Sequence, residues 1–233
     1  MIRSLMAWSL TWIYMVLAGL LCLPGIWITG RLEMTYAAAR FGVRSLLALA
    51  GVRVEVEGRE WLPAAGPRLY MANHQSNLDP PILITLLPGN IAFLAKQELF
   101  AVPVLGWVLR AGGLVPINRA DREGARHSIA RAATLLRNGR PFLIFPEGTR
   151  SPNHHLLPFK KGPFYLAEEA AVAVVPITIG GSGSLMPRGS WRIHSGTVRL
   201  VIHPPLLPAV WASDPHPRAA AAAAVRAAMA PPA

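Results

Sequence analysis

An uncharged apolar stretch, residues 5–30, constrains the fold more than any other feature. These 26 consecutive residues contain no Asp, Glu, Lys or Arg, and Arg3 and Arg31 flank them. A helix of about 20 apolar residues spans the hydrocarbon core of a bilayer, so this stretch is long enough to enter a membrane. Pro24 lacks a backbone donor, so we expect a kink or turn at residues 24–25. Two arrangements fit: a single spanning helix over about residues 5–23, or a helix–turn–helix whose second helix covers about residues 27–50.

Residues 31–50 mix basic and apolar side chains, as a helix at the level of the lipid headgroups does. Arg31, Arg40 and Arg44 stand among leucines there. Aromatic residues that suit the same interface lie nearby in the sequence: Trp8, Trp12, Tyr14 and Trp27. We therefore predict that residues 1–50 form a membrane-associating helical segment.

A secretory signal peptide is the alternative for this segment. No small-x-small cleavage site follows the apolar stretch, and Leu23 after Cys22 departs from a lipobox. The arginines that follow the stretch favour a cytoplasmic location for the rest of the chain. We expect a protein of the bacterial inner membrane with its main domain on the cytoplasmic side.

The composition is basic and apolar together. The 233 residues carry a formal net charge of +11, 52% are apolar and 15% are charged, whereas soluble domains contain about 25% charged residues. This hydrophobicity excludes a disordered polyelectrolyte. A single cysteine, Cys22, excludes an internal disulfide framework and a cysteine zinc site. A basic protein attracts acidic partners, here nucleic acid, anionic lipid headgroups or phosphorylated substrates.

Beyond residue 50 the sequence alternates strand-like and helix-like stretches. Residues 52–57 alternate strictly between apolar and polar side chains, and Asp79-Pro80 and Asp121 are typical helix starts. Short apolar runs predict further strands at residues 68–72, 91–95, 113–117, 141–145, 173–179 and 198–202. This alternation predicts an α/β fold with a mixed, largely buried sheet flanked by helices. We assign residues 51–210 to this domain and residues 211–233 to an Ala- and Pro-rich C-terminal tail.

A first polar cluster follows the strand predicted at residues 68–72. His74 lies on a loop five residues before Asp79, the expected N-cap of a helix. If the loop curls, the carboxylate reaches the imidazole, and an Asp that accepts from one ring nitrogen makes the other a general base toward a hydroxyl. The alternative is a capping Asp with an unrelated surface His, and the pair alone does not decide between them.

A second polar cluster, residues 145–151, follows the strand predicted at residues 141–145. The ends of strands in α/β sheets are where ligands bind. Arg150 can hold a phosphate through two hydrogen bonds, while Thr149 and the Gly148 amide can add donors.

Further basic residues are weaker candidates for the same pocket. Arg119 stands just past the strand predicted at residues 113–117. Lys96, Lys160 and Lys161 are either further cations of this pocket or solvated surface charges. His154 and His155 are adjacent, with no carboxylate nearby in sequence, so no metal site is predicted.

Together these clusters resemble the glycerolipid acyltransferase family that contains the 1-acylglycerol-3-phosphate acyltransferases. The resemblance covers about residues 69–181, about half of the chain. His74 to Asp79 is similar to the family's His-x-x-x-x-Asp block. Its other blocks resemble residues 113–119, 145–150 and 174–177, and a Lys-x-Glu-Leu stretch resembles residues 96–99.

The resemblance implies a membrane enzyme that moves a fatty acyl group from a thioester to the sn-2 hydroxyl of 1-acyl-sn-glycerol 3-phosphate, giving phosphatidic acid. It implies that His74 is the general base and that Asp79 orients it. It also implies a substrate-binding set that consists of Arg119, Glu147, Gly148, Thr149, Arg150 and Lys96, with Glu147 positioning Arg150 or a glycerol hydroxyl.

The implied partners are a phospholipid membrane, the lysolipid acceptor and a thioester donor, either acyl-CoA or acyl carrier protein, with no cofactor. The same chemistry on another acceptor, such as a lyso-ornithine lipid or a lysophospholipid, is the main alternative. A membrane-tethered nucleic-acid-binding protein is a remote one. The body shows no interleaving of basic and aromatic residues, so we expect no nucleic-acid partner.

Overall fold

The computed structural model describes residues 1–62, 66–118 and 120–230. Strands and helices alternate between residues 69 and 202. The helices are α1 (Ile2–Thr29), α2 (Glu33–Ala50), α3 (Asp79–Leu86), α4 (Leu105–Ala111), α5 (Arg122–Arg137), α6 (Gly162–Ala170), α7 (Ser182–Leu185), α8 (Ala209–Ala212) and α9 (Pro217–Met229). The strands are β1 (Val52–Glu57), β2 (Leu69–Ala72), β3 (Ala92–Lys96), β4 (Val115–Ile117), β5 (Phe142–Ile144), β6 (Val174–Gly180) and β7 (Gly196–Ile202). Short 3₁₀ helices cover Arg59–Trp61 and Gln97–Ala101.

The strands described form one sheet in the order β1-β7-β6-β2-β5-β3-β4. β6 and β7 run antiparallel, and the remaining neighbours run parallel. The sheet is therefore mixed, as the sequence predicts. Central strand β2 is buried over its whole length, because helices cover both faces of the sheet, and strands covered on both faces are typically continuous apolar runs.

The two largest apolar cores of the described residues lie on the two faces of the sheet. Successive side chains of a strand point to opposite faces, so Tyr70 packs in the core with Leu46 of α2, whereas Leu69 packs in the core with Leu136 of α5. Residues 211–230 contribute to the second core, where Val225 of α9 is fully buried. The division at residues 50 and 210 stays a prediction.

The N-terminal stretch forms a helix–turn–helix, and the turn lies later than expected. Helix α1 runs through Pro24 and ends at Gly30, which adopts a left-handed conformation (φ 66°) and donates its N–H to the carbonyl oxygen of Ile26 at 2.7 Å. The expected turn at residues 24–25 is therefore wrong, whereas a kink there stays a prediction. The fixed φ of proline is itself helical, and the helix ends instead where a glycine takes the left-handed conformation that terminates many helices.

Helix α1 is attached to the body of the protein. The Ser4 hydroxyl lies 3.1 Å from both the N–H and the carbonyl oxygen of Ile193, and the Trp8 indole donates to the carbonyl oxygen of Trp191 at 2.7 Å. The Tyr14 hydroxyl donates to the carbonyl oxygen of Ala38 in α2 at 2.9 Å. Among the helices described, Ile2–Ile26 alone is long and apolar enough to cross a membrane, yet these contacts hold it against the domain.

Candidate active site

The two predicted polar clusters meet at one edge of the sheet. β2 and β5 are parallel neighbours with Met71 opposite Ile144, so the residues that follow each strand emerge side by side. The Ser151 N–H donates to the carbonyl oxygen of His74 at 2.8 Å and ties the two loops together. This edge, formed by the carboxyl ends of parallel strands, is where α/β sheets bind ligands.

The structure brings His74 and Asp79 into contact. The Nδ1 atom of His74 lies 2.8 Å from Oδ2 of Asp79, which is completely buried. The same oxygen accepts the N–H groups of Gln75 at 2.7 Å and Ser76 at 2.8 Å. A carboxylate oxygen accepts, so Nδ1 carries the proton and the Nε2 lone pair is left for a substrate. In this geometry a carboxylate can orient an imidazole to act as a general base.

Asp79 occupies a different helical position from the one expected. The N-cap of α3 is Leu78, and Asp79 is the first residue inside the helix. Its carboxylate turns back to the preceding loop and accepts the N–H groups there, instead of capping the helix. The expected capping role was therefore wrong, and the side chain instead shapes the loop that carries His74.

The imidazole is fixed from several sides. The His74 ring stacks on Phe145, with centroids 4.1 Å apart and planes inclined by 22°. Its side chain is 10% exposed. The backbone N–H of His74 donates to Oε1 of Glu147 at 2.7 Å. Ring orientation and backbone position are both determined before a substrate binds, which is what catalysis by a positioned base requires.

Glu147 makes different contacts from those the sequence led us to expect. The residue is 1% exposed. Oε1 accepts the N–H of His74 and Oε2 accepts the N–H of Leu157 at 2.8 Å. Glu147 thus links the His74 loop to the segment before α6. Among the described residues it forms no ion pair with Arg150 within 4.0 Å, and the expected contact with a glycerol hydroxyl stays a prediction. Burial raises the pKa of this carboxyl group above its ordinary value, against the two N–H bonds, which lower it.

The candidate phosphate ligands lie on the next turn. Gly148 has φ 67°, a backbone conformation that residues other than glycine rarely adopt. Thr149 and Arg150 follow it and are half-buried. Among the residues described, Arg150 forms no ion pair within 4.0 Å.

The remaining predicted cations differ in their surroundings. Lys96 ends β3 at the same sheet edge, but its ammonium group pairs with Glu98 at 2.9 Å and is 67% exposed. Arg119 lies outside the described residues. The strand before it, β4, ends at Ile117, which pairs with Lys96.

Two residues that hold the loop of His74 had no predicted role. The Asn73 side chain donates to the carbonyl oxygen of Ile179 at 2.9 Å and accepts its N–H at 2.6 Å. The Ser76 hydroxyl donates to the carbonyl oxygen of Met186 at 2.9 Å. Both partners are backbone groups about a hundred residues away, so only the fold could reveal them. The signal in the sequence was two polar residues close to His74.

An apolar cavity of about 260 Å³ lies between α1, α2 and α4. Side chains and glycines that line it include Gly19, Cys22, Ala39, Val108 and Leu114. Cys22 is buried, away from the polar edge described above. In the part of the chain that the structure describes, no three His, Cys, Asp or Glu side chains are grouped to hold a metal ion.

Known proteins resemble the chain in both sequence and structure. Residues 53–180 match the family model described as Acyltransferase. The chloroplastic 1-acyl-sn-glycerol-3-phosphate acyltransferase LPAT1 of Arabidopsis thaliana is 41% identical over 66% of this chain, but the match spans 44% of its own length. The 1-acyl-sn-glycerol-3-phosphate acyltransferase alpha of Ovis aries is 33% identical over 83% of this chain and 68% of its own.

A solved structure shares the fold. The crystal structure of the 1-acyl-sn-glycerophosphate acyltransferase PlsC from Thermotoga maritima superposes with a TM-score of 0.85 at 29% sequence identity. The match covers 98% of this chain and 92% of that one. The expected α/β architecture with its N-terminal apolar helix is therefore confirmed.

Proposed function

Because the chain belongs to the acyltransferase family that includes the 1-acyl-sn-glycerol-3-phosphate acyltransferases, we propose that it moves a fatty acyl group from a thioester to the sn-2 hydroxyl of 1-acyl-sn-glycerol 3-phosphate. The product is phosphatidic acid. The observation that carries the proposal is the 2.8 Å contact between His74 and Asp79 at the ligand-binding edge of the sheet. The chain spans less than half the length of the plant relative, so the activity is inferred from the site as well as from the resemblance.

The reaction needs one base and no covalent enzyme intermediate. The Nε2 atom of His74 takes the proton of the acceptor hydroxyl as its oxygen forms a bond to the thioester carbonyl carbon. The carbon–sulfur bond then breaks, and the imidazolium returns the proton to the departing thiolate. Asp79 holds the ring in the required tautomer and stabilises its positive charge while the proton resides there.

The acceptor's phosphate binds the turn after β5 in this proposal. Arg150 is a half-buried cation three residues after Glu147, which itself contacts the His74 backbone. A planar guanidinium suits phosphate oxygens, and the Thr149 hydroxyl adds a polar group. The Gly148 N–H, an expected further donor, already donates to the carbonyl oxygen of Phe145 at 3.0 Å. Arg119 and Lys96 stay candidates for the same phosphate.

We propose that α1 lies along the membrane interface. A helix of this length is about 42 Å long, longer than the roughly 30 Å hydrocarbon core. Its contacts with α2 and with Ile193 and Trp191 would bring polar backbone of the domain into hydrocarbon if α1 crossed the bilayer. Its outer face exposes apolar side chains for the lipid: Leu10, Ile13, Leu17, Leu20 and Leu21. The membrane proposed is the bacterial inner membrane, with the active site on the cytoplasmic side.

The apolar cavity beneath α1 has the chemistry of a hydrocarbon binding site. Its lining is almost entirely apolar, and it lies between the proposed membrane helix and the domain. Both substrates carry an acyl chain, and a chain that enters from the interface would not have to cross water. We assign this cavity to an acyl chain.

An acyl-transfer assay with a panel of acceptors tests the proposal. Purified protein in lipid vesicles would receive 1-acyl-sn-glycerol 3-phosphate, monoacylglycerol, a lyso-ornithine lipid or a lysophosphatidylcholine, each with acyl-CoA and with acyl carrier protein as donor. We expect the phosphomonoester acceptor to have the highest kcat/KM. Equal or better transfer to a phosphate-free acceptor would contradict this choice of substrate, and absence of transfer to every acceptor would contradict the activity.

A further inference from the structure

We propose that the ammonium group of Lys160 binds the phosphomonoester of the acceptor together with Arg150. The identity of this ligand rests on the proposed function, whereas the position of the lysine rests on the contacts of its backbone and its aliphatic stem. The sequence alone does not decide whether Lys160 is a cation of the pocket or a surface charge. The same holds for its neighbour Lys161.

The segment that carries Lys160 is tied to the turn that carries Arg150. The backbone N–H of Lys160 donates to the carbonyl oxygen of Pro146 at 2.7 Å. Three residues earlier, the N–H of Leu157 donates to Glu147 at 2.8 Å. Since Glu147 also accepts the N–H of His74, the backbone of Lys160 is fixed relative to the proposed catalytic base.

The Lys160 side chain lies across Gly148. A Cβ atom placed on Gly148 would be 3.2 Å from Cγ of Lys160 and 3.9 Å from its Cε. The aliphatic stem therefore runs alongside the glycine of the turn that carries Arg150, and the ammonium group lies one bond beyond Cε. A glycine at position 148 leaves the room that this stem occupies.

The charges of the turn match a phosphomonoester. Neither Lys160 nor Arg150 forms an ion pair with another described residue, in contrast to Lys96, which pairs with Glu98. A phosphomonoester carries about −1.5 to −2 charges at neutral pH. Two cations, Arg150 on the turn and Lys160 on the segment tied to it, balance that charge, whereas a phosphodiester would leave one of them without a partner. The pair therefore selects acceptors with a terminal phosphate.

Three variants isolate the charge of Lys160. Lys160→Met keeps an unbranched stem over Gly148 and removes the ammonium group, and Lys160→Arg keeps a cation. Lys161→Met is the matched control, because Lys161 is also exposed, and the contacts described for it are those of its backbone at the start of α6. Each protein would be assayed for KM of the acceptor, KM of the donor and kcat. Binding of glycerol 3-phosphate, measured by calorimetry, gives a readout without turnover.

The expected result is specific to one substrate. Loss of a charge-assisted hydrogen bond in Lys160→Met should raise the acceptor KM roughly 10- to 100-fold, with kcat and the donor KM close to wild-type. Glycerol 3-phosphate binding should weaken in the same variant. Lys160→Arg should recover most of the loss, and Lys161→Met should behave as wild-type.

The outcomes separate this inference from the proposed function. If the wild-type protein transfers no acyl group yet binds glycerol 3-phosphate in a Lys160-dependent way, the activity is wrong and the phosphate site stands. An unchanged acceptor KM and unchanged glycerol 3-phosphate binding in Lys160→Met overturn the inference. A rise confined to the donor KM also overturns it, because the ammonium group would then bind phosphates of the donor.

Discussion

Replacing Asp79 by asparagine would keep the shape of the buried side chain and remove its negative charge. The carboxylate oxygen lies 2.8 Å from Nδ1 of His74. When His74 takes the hydroxyl proton, the centres of the two charges are about 4 Å apart, and at an effective dielectric constant of about 20 they attract by about 4 kcal/mol. This stabilisation exists in the transition state and is absent when the ring is neutral. Since about 1.4 kcal/mol corresponds to a factor of ten in rate, kcat should fall about 10³-fold.

The amide introduced by Asp79→Asn has a second effect in the same direction. If its NH₂ group faces Nδ1, the ring must carry its proton on Nε2, and the lone pair no longer points to the substrate. The assay is acyl transfer to 1-acyl-sn-glycerol 3-phosphate at saturating substrates, with circular dichroism to verify folding. Asp214→Asn, at an exposed aspartate between α8 and α9, is the control and should keep the wild-type kcat. A folded Asp79→Asn protein with a kcat close to wild-type would refute the electrostatic role of Asp79.

Further predictions concern Glu147, helix α1 and the apolar cavity. Burial raises the pKa of Glu147 above 4.5, so the contribution of this group to stability is greatest below pH 4.5 and declines as the pH rises through the raised value. Urea unfolding in micelles measures the free energy of unfolding. That of the wild-type protein should therefore fall relative to that of Glu147→Gln as the pH rises to neutrality, and a rise relative to Glu147→Gln would contradict the raised pKa of Glu147. Replacing Leu17 and Leu20, which are 57% and 59% exposed on α1, by Asn should reduce co-sedimentation with anionic vesicles. The same change at Leu207, which is 58% exposed, is the control, and equal losses in both proteins would argue against α1 as the docking face. Ala39→Phe should narrow the apolar cavity and lower kcat/KM for long acyl chains more than for short ones, and an unchanged chain-length profile would remove the cavity from acyl binding.

Local sequence signals were sufficient for most secondary structure. The strict alternation of residues 52–57 predicted β1, and Asp121 is the N-cap of α5, where its side chain accepts the N–H of Glu123 at 3.0 Å. In these cases the determinant lies within a few residues of the element it defines. The pairing of His74 with Asp79 was likewise accessible, because the two residues are only five positions apart.

Features that depend on distant contacts were not accessible. The partners of Glu147 include the Leu157 N–H, a group that the sequence does not mark because every residue except proline has one. Asn73 binds Ile179 on β6, which becomes its neighbour only when the sheet forms. The continuation of α1 through Pro24 reflects packing against α2, which outweighs a local helix-breaking tendency.

The transfer rate of His74→Ala tests the role of His74 as general base most directly. The assay would follow transfer of a labelled acyl group from its thioester to 1-acyl-sn-glycerol 3-phosphate, with His155→Ala, at an exposed histidine, as control. Loss of the general base should lower kcat at least about 100-fold, whereas the control should match wild-type. A folded His74→Ala protein that transfers the acyl group at the wild-type rate would contradict this role and the mechanism built on it.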